Sequence, residues 1–167
     1  EFSERLMNNA DSLVKSITNY RLEQEQIAKK AEMDAVAECA DALYQDKLDP
    51  VMGNPNGKHA IVEFIDFNCG YCKKLAPTLE RFIEIDPEAK VIIKEYPIFT
   101  NQPTSQYSAV MGTALFYYDQ AKYSEFHHAL LSKSRITKEA VTEILTSLDI
   151  DKTDLEPHLA KAEEHVK

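Results

Sequence analysis

The chain has 167 residues, of which 44% are hydrophobic and 28% charged, so it is long and apolar enough to bury a core. Its net charge of −9 argues against nucleic acid or an anionic membrane surface as a partner. No apolar run approaches the roughly 18–20 residues that cross a bilayer, which argues against membrane insertion. The acidic start, helical in pattern, is not a signal peptide, as expected of a mature exported protein or of a chain without its leader.

Residues 1–47 contain no glycine or proline and predict a helical arm. Apolar residues recur at alternating steps of three and four, the a and d spacing of a heptad seam, and a polar Gln24 lies at a core position of the kind that fixes register. The seam breaks at Asp34. Its a and d residues do not distinguish a two-stranded from a three-stranded coiled coil. We predict self-association of the arm; the alternative is one amphipathic helix folded back on its own domain. The seam consists of Phe2, Leu6, Ala10, Leu13, Ile17, Tyr20, Gln24, Ile27 and Ala31.

A second helical pattern, from Val36 to Tyr44, closes the arm. It includes Cys39, one of three cysteines in the chain. We expect Cys39 to pack as a small apolar residue. A mixed disulfide at this position is the alternative.

Residues 49–57 are dense in turn-forming residues and predict the boundary between the arm (1–47) and a second domain (48–167). An apolar run over 60–67 predicts a strand, and 91–96 predicts a second one. Helical spacing follows the first strand. Further helices are predicted after the second strand, by apolar stripes between residues 107 and 148 and by a last stripe that starts at Leu155.

The most informative motif is Cys69-Gly70-Tyr71-Cys72, which lies between the first strand and its helix. Free N–H groups and the positive dipole end of a helix favour a thiolate, so in such motifs the pKa of the first cysteine falls from ~8.5 to roughly 3.5–7.5. Gly70 leaves the first sulfur open to approach. A closed zinc site would need four ligands, and only Cys39 and five histidines, none in a His-x(3–5)-His pair, remain as candidates. Inert core cysteines are the other alternative. The motif therefore favours redox chemistry.

The string Glu63-Phe64-x-Asp66-Phe67-x-Cys69-Gly70-Tyr71-Cys72-Lys73, with Lys94-Glu95-Tyr96-Pro97-Ile98 downstream, resembles the DsbA-like branch of thioredoxin-fold proteins. With its helical arm, the chain is most similar to the suppressor-of-copper-sensitivity protein C (ScsC) group of bacterial periplasmic proteins. The resemblance implies an α/β, thioredoxin-like domain with a helical insertion, preceded by an oligomerisation arm.

The resemblance also implies a role for each motif residue. Cys69 would be the exposed nucleophile and Cys72 the buried resolving thiol. Glu63 would lie buried in the strand beneath them, with a raised pKa, and relay the proton of Cys72; the alternative is a carboxylate solvated at a strand edge. Tyr71 would tune the stability of the thiolate. No cofactor is implied.

The function implied is a periplasmic thiol–disulfide oxidoreductase that acts as an isomerase on misbridged proteins. Its partners would be those substrates, a membrane thiol reductase of the DsbD or ScsB type, and further copies of itself, with a trimer favoured. Three alternatives stay open: a monomeric dithiol oxidase, a copper-tolerance protein that binds Cu(I) through Cys69 and Cys72, and an oligomerisation scaffold with an idle head.

One departure from the family concerns the end of the chain. The family completes its sheet, after the helical insertion, with two more strands and a helix, and carries a cis-proline that faces the CxxC motif. None of the seven prolines here has such a place. We therefore expect a sheet that is incomplete at the C-terminus, in a chain that is truncated or completed by a separate piece.

Overall fold

A computed structural model of the chain describes the backbone of residues 2–166 and their side chains, except those of residues 2–4 and 6–8. The structure divides into two compact units, one ending at Gln45 and the other beginning at Asp46. None of the described helices has the length and the apolar character needed to cross a membrane.

The N-terminal unit consists of two helices, α1 (Phe2–Glu38) and α2 (Ala40–Tyr44). A helix of 37 residues forms because nothing in this stretch breaks the backbone ladder, and α1 continues through Asp34. It ends just before Cys39, so the expectation of helix throughout residues 1–47 is wrong at this point. Cys39 is exposed in this chain rather than packed against apolar neighbours.

The predicted apolar seam of α1 is open to solvent. The side chains of Phe2 and Leu6 lie outside the described residues. The large seam residues that follow are exposed by about half or more: Leu13 by 62%, Ile17 by 46%, Tyr20 by 62% and Ile27 by 56%. Apolar side chains at heptad spacing are thus left without burial in the single chain.

The second unit is built on a three-stranded sheet in the order β1-β3-β2. β2 (His59–Ile65) and β3 (Ala89–Glu95) are parallel, and α3 (Gly70–Ile85) connects them. β1 (Val51–Gly53) pairs with β3 in the antiparallel direction. The strand–helix–strand unit around the CxxC motif is therefore a βαβ crossover, which places the motif at the carboxyl end of β2.

The first of these strands was not expected from the sequence, because residues 49–57 predict turns alone. Val51–Gly53 is nevertheless a strand, since its backbone pairs with residues 90–92 of β3. It ends at Gly53, which has a φ of 80°, and a Cβ atom there would lie 2.6 Å from the carbonyl oxygen of Ala89. Glycine allows both this conformation and this close approach.

The remaining chain is helical and covers the sheet. Its helices are α4 (Pro103–Tyr118), α5 (Gln120–Leu131), α6 (Lys138–Ser147) and α7 (Glu156–His165), with a short 3-10 turn at Lys152–Leu155. Every residue from Ser108 to Phe116 is buried, so α4 is the central helix of the core. Tyr123 and Phe126 of α5 and Leu145 of α6 are also buried.

Candidate redox site at the head of helix α3

The two cysteines lie at the start of α3. Cys69 is the N-cap residue, and Cys72 lies in the first turn. The Cys69 amide donates to the carbonyl oxygen of Asp66 at 2.8 Å, which fixes the turn out of β2. Space around Gly70 is open, since a Cβ atom there would meet nothing within 4 Å. A substrate can therefore approach the Cys69 sulfur from solvent past Gly70, which has no side chain.

The two thiols differ in acidity. Partial burial opposes ionisation of Cys69, but the amides of Cys72 and Tyr71 and the Cys72 thiol outweigh it, so the pKa of Cys69 is lowered from its ordinary value. Burial raises the pKa of Cys72 to about 11, and the negative charges of Cys69 and Glu63 add to the effect. Because the pKa of Cys69 is lowered and that of Cys72 is raised, the negative charge of the reduced pair lies on Cys69.

The exposure of the two cysteines differs from the family expectation. Both are half-buried, so Cys72 is less enclosed than expected. Its side chain nevertheless packs against the hydrophobic core, whereas Cys69 does not belong to that cluster. The pair therefore has an inner and an outer member.

Glu63 lies in β2, the strand that leads into the CxxC turn, and is only 6% exposed. Neither of its carboxyl oxygens has a hydrogen-bond partner among the described residues. Burial without a partner raises the pKa of Glu63 from 4.5 to about 7. Its charge also acts on Cys72, so the two groups are close enough to influence one another's ionisation. The solvated alternative for Glu63 does not fit this burial.

Tyr71, between the cysteines, points into solvent and is 82% exposed. The only cation near its ring among the described residues is Lys74, with Nζ 5.6 Å from the ring centroid. Its backbone amide helps to lower the pKa of Cys69. The backbone of Tyr71 thus contributes to the site, while its side chain forms part of the surface around the thiols.

Asp66 organises the turn in a way that the sequence did not reveal. Its carboxylate is buried and accepts hydrogen bonds from the Asn68 amide at 2.8 Å, the Phe99 amide at 3.1 Å and the Ser105 hydroxyl at 2.8 Å. It joins the CxxC turn to the start of α4. An aspartate two residues before the amide it binds is the pattern of an Asx turn, and that is the signal that could have indicated it.

The described residues bring no third potential metal ligand together with the two thiols. A separate group, Asp46, Asp49 and His165, is close enough to hold an ion. Asp49, however, is buried and already bound by Lys94 and by His165. These two contacts tie the beginning of the second unit to β3 and to α7.

Comparison with known proteins agrees with this geometry. The sequence profile of a family described as thioredoxin matches residues 45–165. No curated protein sequence matches the chain significantly.

Solved structures similar to the chain include the following three. ScsC from Proteus mirabilis in a transitional conformation is 26% identical, with a TM-score of 0.72, over 98% of this chain and 74% of that one. The thiol–disulfide exchange protein alpha-DsbA2 from Wolbachia pipientis is 26% identical, with a TM-score of 0.75, over 84% of this chain and 76% of that one. A periplasmic thioredoxin-like protein from Salmonella enterica serovar Typhimurium, at 24% identity and a TM-score of 0.67 over 75% of this chain and 72% of that one, shares the fold.

The family match covers most of the chain and includes the strand, the turn and the helix that carry Cys69 and Cys72. The expected fold class, a thioredoxin-like domain with a helical insertion after a long N-terminal helix, is confirmed. The chain belongs to the thioredoxin family, in which it is a thiol–disulfide oxidoreductase of the DsbA and ScsC type.

Proposed function

We propose that this oxidoreductase is a periplasmic disulfide isomerase in which Cys69 is the nucleophile and Cys72 the resolving thiol. The observation that carries the proposal is the unequal acidity of the pair: the pKa of Cys69 is lowered, whereas that of Cys72 is raised to about 11. A thiolate is the attacking species in disulfide exchange, so Cys69 is the nucleophile of the reduced pair.

The reaction would proceed by two exchanges. The Cys69 thiolate attacks one sulfur of a substrate disulfide, the substrate S–S bond breaks, and the released substrate sulfur leaves as a thiolate. A substrate thiolate then attacks the mixed disulfide and frees Cys69, which gives a new pairing with no net redox change. Alternatively Cys72 attacks, which releases a reduced substrate and leaves the Cys69–Cys72 disulfide. Glu63 would accept the proton of Cys72 in that second route.

Oligomerisation through the arm is part of the proposal. The exposed heptad side chains of α1 support it, because a partner helix would bury them. We take residues 1–47 as this oligomerisation arm and residues 48–167 as the redox domain, and infer a trimer from the similarity to ScsC. Several domains on one assembly would present several thiols to one client at high effective concentration.

The remaining partners follow from the chemistry. An isomerase has to be kept reduced, so we infer a membrane thiol reductase of the DsbD or ScsB type. We infer the periplasmic location from the similarity to the ScsC group.

The decisive experiment is refolding of a substrate with scrambled disulfides by the wild type, Cys69→Ala and Cys72→Ala. We expect Cys69→Ala to lose activity and Cys72→Ala to keep shuffling while it accumulates mixed disulfides. Activity retained by Cys69→Ala would contradict the mechanism. A monomeric mass, together with disulfide donation but no rescue of scrambled substrate, would favour the oxidase instead.

A further inference from the structure

A second buried carboxyl lies beside the proposed proton relay. Glu95, at the end of β3, is 9% exposed. In the parallel register Glu63 is paired with Ile93, and Ile65 with Glu95. Since alternate residues of a strand share a face, Glu63 and Glu95 are diagonal neighbours on one face of the sheet.

One oxygen of Glu95 is already engaged. The Tyr123 hydroxyl of α5 donates to Oε1 at 2.6 Å. Gly112 of α4 leaves room for this oxygen, because a Cβ atom there would lie 3.1 Å from it. The other oxygen, Oε2, is buried without a partner among the described residues.

The charged groups around Glu95 oppose its ionisation. Burial raises the pKa of Glu95 well above 4.5 despite the hydrogen bond from Tyr123, and the charges of Asp66 and Glu63 raise it further. Tyr123, its neighbour from α5, is neutral, since burial and then Glu95 raise the pKa of its hydroxyl. The raised pKa favours the protonated acid of Glu95, and because Oε1 accepts from Tyr123, the proton of that acid belongs on Oε2.

The unpaired oxygens of Glu63 and Glu95 are complementary in hydrogen bonding. Within the part of the chain that the structure describes, Oε2 of Glu95 and both oxygens of Glu63 are buried without a hydrogen-bond partner. A protonated Oε2 would be a donor, and the Glu63 oxygens are acceptors. Buried polar groups are normally paired. We propose that Glu95 is a positioning residue of the redox site, which acts through Glu63 by donating a hydrogen bond from Oε2 to the Glu63 carboxylate. This inference rests on the proposed relay role of Glu63.

The hydrogen bond would matter at the moment of proton transfer. When a substrate thiolate attacks Cys69 of the oxidised site, the Cys69–Cys72 bond breaks and its electron pair goes to the Cys72 sulfur. That sulfur takes the proton of Glu63, which is left as a carboxylate. The Glu95 acid then stabilises this buried charge and keeps its own proton. In the reverse direction Glu63 takes the proton back and Cys72 re-forms the disulfide.

The test is a titration of the Glu63 carboxyl carbon by NMR in the oxidised protein, where the thiols of the active site do not titrate. In the double variant Glu95→Met/Tyr123→Phe, both members of the Glu95–Tyr123 hydrogen bond are replaced by apolar side chains of similar shape. We expect the Glu63 midpoint to rise by roughly one pH unit there, because a hydrogen bond to the charged form is lost. Glu95→Gln keeps a donor, and Tyr123→Phe alone keeps the acid, so both should titrate like the wild type. An unchanged midpoint in the double variant would overturn the inference.

A second variant covers the case in which the double variant does not fold. Coupling between two sites is reciprocal, so Glu63→Gln should lower the midpoint of Glu95; a midpoint that stays where it was would also refute the hydrogen bond.

The pH profile of thiol–disulfide exchange separates this inference from the relay itself. The double variant should shift that profile upward by the amount seen in the NMR titration; a shifted midpoint with an unshifted profile would show that Glu95 has no part in the reaction. If Glu63→Gln leaves the profile unchanged, the relay role of Glu63 is wrong, whatever the NMR titration shows.

Discussion

Replacing Glu63 by glutamine tests the burial of this carboxyl through the stability of the fold. The folded state raises the pKa of Glu63 from 4.5 to about 7, so it binds the proton more tightly than the unfolded chain does. Its favourable contribution is therefore complete below about pH 4.5 and is lost as the pH rises through about 7. At roughly 1.4 kcal/mol for each pKa unit, this loss amounts to about 3 kcal/mol.

Glutamine does not titrate, so Glu63→Gln should not lose this free energy. Urea unfolding of the oxidised proteins at pH 4.5 and pH 8 gives the change for each, and comparing changes removes any constant cost of burying an amide. We expect the wild type to lose about 3 kcal/mol more than the variant between the two pH values. The exposed Glu125→Gln is the matched control and should follow the wild type. Equal pH dependence in Glu63→Gln and wild type would refute the raised pKa and the burial of the Glu63 carboxyl.

Three further outcomes are expected. Ile17→Lys/Ile27→Lys should dissociate the assembly to a mass near 19.0 kDa in light scattering, because both side chains belong to the exposed seam; an unchanged mass would exclude the seam as the interface. Tyr123→Phe should cost about 2 kcal/mol in urea unfolding, since it leaves a buried carboxyl oxygen without its donor; full stability would contradict that hydrogen bond. Asp66→Asn should lower the pKa of Cys69 further, because the Asp66 charge raises it; a higher thiol titration midpoint would contradict the sign.

The sequence predicted the parts of the fold that depend on local spacing. The strand before the CxxC motif, the helix after it and the second long strand follow from runs of apolar residues and from the turn between them. The placement of Cys69 at a helix N-terminus was also predictable, because the four consecutive residues of the CxxC motif lie between the strand and the helix. The raised pKa of Glu63 was expected only through the family resemblance.

What could not be predicted depends on partners far along the chain. Val51–Gly53 has too few residues, set among prolines and asparagine, to indicate a strand until β3 lies beside it. The hydrogen bond between Glu95 and Tyr123 joins residues 28 positions apart. The exposure of Cys39 was also missed, since its helical spacing suggested a packed face that the single chain does not supply.

The central claim is that Cys69 is an activated nucleophile at the head of α3. The most direct measurement is the thiolate absorbance of the reduced protein against pH, in a Cys39→Ser background that removes the third thiol. A first midpoint clearly below the ~8.5 of a free cysteine that disappears in Cys69→Ser would agree with the lowered pKa. A first midpoint at or above that of free cysteine would contradict it.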